Sequence, residues 1–161
     1  MPPSTSSSRP SIWLNTPWLR AWRKAAALGR SGDISVLDQA GALRIADSSG
    51  DIVVRGAREV LIPRDSSGDI ELSDIGGDAR IERDSSGDID LADIQGNAMV
   101  EVDSSGDIEF RRIKGSASVD RDSSGGIRAE DVGGDFVVRI DGSGSIHHHG
   151  VAGRVDIPED D

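Results

Sequence analysis

A six-residue string, Asp-Ser-Ser-Gly-Asp-Ile, occupies residues 47–52, 65–70, 84–89 and 103–108. Residues 122–127 repeat it with Gly126 in place of the second Asp, residues 141–146 are a looser copy, and Ser31-Gly32-Asp33-Ile34 is a worn first one. The closing isoleucines stand at positions 34, 52, 70, 89, 108, 127 and 146, always 18 or 19 residues apart. A period this constant constrains the fold more than any other feature. It implies one structural unit stacked on copies of itself, each touching only its neighbours.

Between the hexapeptides the pattern has period two. Ala98, Val100, Val102, Ser104, Gly106, Ile108 and Phe110 fall on one side; Met99, Glu101, Asp103, Ser105, Asp107 and Glu109 fall on the other. Alternation of this kind marks a strand with one buried face. Equivalent positions also repeat their chemistry: Ala79, Ala98, Ala117 and Phe136; Ile81, Val100, Val119 and Val138; Ile75, Ile94, Ile113 and Val132. Columns of like residues imply parallel strands in register, about 4.8 Å apart. The expected fold is all-β, a single-stranded parallel β-solenoid (β-helix) of about seven rungs of 18–19 residues over residues 30–158, with a short N-terminal capping helix. Few aromatics and 20 glycines would leave a globular core poorly filled, whereas a solenoid buries only a narrow strip per rung.

Residues 1–16 read as a disordered Ser- and Pro-rich tail. Over residues 17–29, Thr16 suits an N-cap, Pro17 the first turn and Gly29 the stop. Trp18, Leu19, Trp22, Ala25 and Ala26 share one face of that amphipathic helix, opposite Arg20, Arg23 and Lys24. Three roles compete for it: a cap on the first rung near Ile34, Val36 and Leu43, an anchor on an anionic membrane surface, and an organelle-targeting segment. Membrane contact is expected only through this helix. A secretory signal is not recognisable, because Arg23 and Lys24 interrupt the apolar run. At the other end, residues 159–161 form an acidic tail that follows Pro158, a combination that blunts a sheet edge.

Net charge is −11, divided between an acid-free stretch of +5 over residues 1–32 and a body of −16. An acidic body argues against a nucleic-acid groove. Absence of cysteine excludes disulfides and thiolate chemistry. No histidine precedes His147, so the body lacks a base for a hydrolytic triad, and no catalytic residue or cofactor is expected.

The second reading of the repeat is a Ca²⁺ ladder. Asp65, Asp84 and Asp103, in line with Asp122 and Asp141, are expected as one outward column, and Asp69, Asp88 and Asp107 as another. Stacked carboxylates repel, so they either take up protons or recruit hard cations. The plainer alternative is that Asp, Ser and Gly serve the turn itself, with Arg64, Arg83 and Arg121 as counter-charges. His147 and His149 share a strand face and could hold a transition metal, though a third ligand is not visible.

The Ser-Gly-Asp-Ile units, the Gly-Gly-Asp corners at 76–78 and 133–135 and the closing Gly-Arg-Val-Asp-Ile-Pro resemble the bacterial adhesin β-strand-repeat family, which is similar to the head domain of auto-transporter adhesins. The resemblance spans residues 31–158. It implies a β-solenoid, a place in the cell envelope or outside the cell, and a non-enzymatic role as an adhesion or interaction module with a protein or glycan partner. The family's export signal has no recognisable counterpart in residues 1–30.

Overall fold

The computed structural model describes residues 12–14, 25–28 and 32–158. Fourteen strands follow in chain order: β1 (Ile12–Leu14), β2 (Ala25–Leu28), β3 (Ile34–Ala46), β4 (Ile52–Arg64), β5 (Ile70–Ile75), β6 (Ala79–Ile81), β7 (Ile89–Ile94), β8 (Ala98–Val102), β9 (Ile108–Ile113), β10 (Ala117–Arg121), β11 (Ile127–Val132), β12 (Phe136–Val138), β13 (Ile146–His149) and β14 (Val155–Asp156). All the pairings are parallel. Long β4 feeds both walls: its first half pairs with β5 and continues through β7, β9, β11 and β13, while its second half pairs with β6 and continues through β8, β10, β12 and β14. The chain is a β-solenoid, and six full turns separate Ile34 from Ile146.

The register reproduces the sequence columns. Ile34, Ile52, Ile70, Ile89, Ile108, Ile127 and Ile146 pair rung on rung, and so do Ala79, Ala98, Ala117 and Phe136. Each rung sends the same positions inward: Ile70, Leu72, Ile75, Ala79 and Ile81 in one, all at most 1% exposed. Side-chain volume is balanced between neighbouring rungs. Phe110 stacks against Ala129 on one wall, Phe136 against Ala117 on the other, and the two rings meet edge to face at 6.4 Å. Each ring thus has an alanine on one neighbouring rung, which leaves room for it in a close-packed interior.

A corner interrupts the first wall. Asp38, Asp74, Asp93, Arg112 and Asp131 form a column with φ between 52° and 57°, and Gly56 and Gly150 occupy the same column at 72° and 67°. The left-handed residue shifts the phase of alternation, so the inward set passes from Leu72 to Ile75. Aspartate tolerates this region better than most residues. Arg112 holds it with a fork onto Asp93, 2.7 Å on each branch, and the guanidinium keeps the Asp93 carboxyl below its usual value.

Two expectations for the N-terminus are corrected. Residues 25–28, assigned above to the capping helix, are strand β2, paired with the second half of β3 from Ala25–Leu43 to Leu28–Ala46. Residues 12–14, assigned to the disordered tail, are strand β1 on the first half of β3. The open edge of the first rung offers backbone partners to both segments, and that tertiary pairing overrides the helical preference of an alanine run. Residues 17–24, with Trp18 and Trp22 of the expected cap, lie outside the described residues, as does the acidic tail 159–161. At the far end Ile146, Val151, Val155 and Ile157 pack half-buried on the last core layer, and the His148 ring lies 6.2 Å from that of Phe136.

Candidate functional site

The hexapeptide recurs from rung to rung, and the turn it builds occupies the corner between the second wall of one rung and the first wall of the next. Its glycine sets the path. Gly106 has φ 134°, and a Cβ there would collide with the Gly87 carbonyl oxygen one rung below; Gly68, Gly87 and Gly125 repeat both features.

The third and fifth positions bond along the axis. Ser86, Ser105 and Ser124 each donate the hydroxyl at 3.1 Å to the carbonyl oxygen of Ser66, Ser85 and Ser104 on the preceding rung. The fifth-position carboxylates form a stair. Asp51 accepts the N–H of Asp69 at 3.1 Å, Asp69 that of Asp88 at 3.0 Å, Asp88 that of Asp107 at 2.9 Å, and Asp107 that of Gly126 at 2.7 Å. A second stair at the Gly-Gly-Asp corner runs from Asp78 through Asn97, Ser116 and Asp135 to the N–H of Arg154. The polar residues of the repeat thus satisfy the backbone that the bends would otherwise leave unpaired.

The first aspartate of the repeat departs from expectation. Asp65, Asp84 and Asp103 are each 0% exposed, and Asp47 and Asp122 are at most 2% exposed. The predicted outward column is therefore an inward one. Strand β8 ends at Val102 and the chain bends through Ser104 and Ser105, so the two-residue alternation does not carry through: Asp103 turns in and Ser104 turns out. Oδ1 of Asp47, Asp65, Asp84 and Asp103 accepts the N–H of the following serine at 2.7 Å. Oδ2 of all five column members is buried without a hydrogen-bond partner among the described residues. Arg64, Arg83 and Arg121 are exposed and take part in none of the ion pairs among the described residues, so they do not supply the expected counter-charge. Burial pushes the Asp65 carboxyl up to about 6, and the Asp84 and Asp47 charges add to it. Burial likewise raises Asp103 to about 7, helped by Asp84 and Asp122. Asp84 and Asp122 rise for the same first reason.

The six Ca²⁺ candidates are therefore split between two environments. Asp65, Asp84 and Asp103 line the interior, while Asp69, Asp88 and Asp107 are exposed on the stair. His147 and His149 are exposed on β13. Among the described residues no group of three or more His, Cys, Asp or Glu is arranged to hold a metal ion. Equal stabilisation by CaCl₂ and NaCl at matched ionic strength is expected in thermal melts, because both screen the stair's like charges. Asp88→Asn combined with Asp107→Asn keeps the accepting oxygens and should raise the melting temperature. A saturable micromolar Ca²⁺ effect abolished by that double variant would instead make the stair a cation site and the rod a Ca²⁺-dependent binding module.

Neither the alternation nor the composition revealed the inward aspartates or the two stairs. The signal available was that all of them fall in constant columns, which marks them as serving the stack. No family model, curated protein or solved structure matches the chain, so its reading rests on this geometry.

Proposed function

We propose that the chain is a non-enzymatic scaffold of the bacterial surface or envelope, a rigid rod that presents its outer walls to a protein or glycan partner. The observation that carries this reading is the use of the repeat's third-position hydroxyls and fifth-position carboxylates: they bond rung to rung along the axis. What is left for a partner is a periodic outer wall. On the first wall Glu71, Asp90, Glu109 and Arg128 stack outward in register, and Arg55–Glu71 and Arg111–Asp90 pairs tie successive rungs. A body of −16 favours partners that carry basic groups.

Antibody labelling of intact source cells is expected to detect the chain, and protease shaving to remove the signal. Purified rod on beads should then bind at least one member of a glycan and matrix-protein panel saturably, with an affinity that falls as salt rises. A signal confined to the soluble fraction of lysed cells would overturn the placement, and a salt-independent or absent response across the panel would overturn the interaction role.

A further inference from the structure

Five carboxyl groups stacked one rung apart inside an apolar wall pose a charge problem. Each has one oxygen bonded or close to the serine backbone and a second, Oδ2, buried and unpartnered. The facing residues offer no relief. Along the column the neighbours of each aspartate are other aspartates, Asp69 and Asp107 add negative charge from the stair, and the inward residues of the facing walls, such as Ile62, Ile81 and Ile89, are apolar. Basic Arg64, Arg83 and Arg121 lie on the solvent side. Fully ionised, the column would be a row of uncompensated charges in a medium of low polarity, at a large cost in free energy. A metal ion would need several oxygens converging on one point, and the column offers none. A proton needs only one oxygen.

We propose that four of the inward aspartates, Asp65, Asp84, Asp103 and Asp122, are a proton-binding ladder. Below neutral pH protons reside on the unpartnered Oδ2 atoms, and each proton removes a charge that the carboxylates one rung above and below would otherwise repel, so the column titrates as a coupled set. The rod is thereby an acid-hardened structure that weakens as the ladder empties. The raised values of Asp65 and Asp103 agree with this and fix the direction. A folded-state value above the unfolded one, about 3.9, means that the folded chain binds protons more tightly between the two. The stabilisation is complete below the unfolded value and is lost as pH rises through about 6 to 7.

The test uses the full chain. Infrared spectra in D₂O at about pD 6 are expected to contain a protonated-carboxyl stretch that fades in Asp84→Asn and disappears from the folded rod in alkali. In 1 M NaCl, where surface repulsion is screened, the melting temperature should be several degrees higher at about pH 5 than at about pH 8, and Asp84→Asn with Asp103→Asn should flatten that difference. Absence of the protonated band from the intact folded rod at about pD 6 would overturn the proposal. So would a melting temperature independent of pH in high salt. Displacement of the band by Ca²⁺ at constant pH would overturn it in favour of a cation site.

Discussion

Ile89→Asp is expected to cost about 4 kcal/mol or more, because it leaves an unpaired carboxylate in a fully apolar strip. Ile89 is 1% exposed and lies in register between Ile70 and Ile108. The damage is not confined to one layer. In a stacked array each rung is stabilised mainly by its two neighbours, so a broken layer uncouples the rungs on either side. Urea or thermal melts should show a large loss of midpoint and, with local probes, separate transitions for the two halves. Ile89→Val serves as the comparison, at about 1 kcal/mol with cooperativity intact. A wild-type melt for the aspartate variant would mean that the isoleucine column does not form the core.

The second large effect comes from a residue with no side chain. Gly106→Ala is expected to destabilise by about 3 kcal/mol: the backbone region is one that only glycine visits freely, and the new methyl meets the Gly87 carbonyl oxygen on the preceding rung, which cannot move without shifting the stack. Gly126, in the adjacent column, should behave oppositely. It stands where five other copies have aspartate, its φ is outside the positive region, and a Cβ there would first meet a side chain, the Asp107 carboxylate at 3.3 Å. Gly126→Asp should be tolerated in the same melt and should extend the stair toward the N–H of Ser145. Equal losses for the two variants would show that crowding at this corner, and not backbone conformation, sets the cost.

The contrast explains what could be read from the residues alone. In-register stacking forces one position of every rung into one environment, so the columns ending at Phe136, Val138 and Val132 announced the parallel walls and their register. Side-chain direction at a bend is another matter. It depends on dihedral angles that the alternation rule takes for granted, and a glycine at φ 134° together with an outward Ser104 turned Asp103 from the expected solvent face to the interior. Residues 25–28 failed for a different reason: an alanine run carries a strong local preference, and the unpaired edge of β3 outweighed it. The stairs stayed hidden because an aspartate that bonds a backbone N–H one rung away looks, in sequence, like any charged turn residue.

The axial stairs make length a heritable variable. Each bond joins a residue to its equivalent 18 or 19 positions away, so the register is stored in the spacing and nowhere else. Excising residues 89–107 would bring Asp88 to Ile108 and leave every column and stair continuous, whereas a deletion one residue longer or shorter would put core residues in solvent. Near-identical repeats of this kind are what unequal recombination between gene copies lengthens or shortens by whole units. The rod can therefore change its reach in steps of one strand spacing, about 4.8 Å, without any compensating substitution.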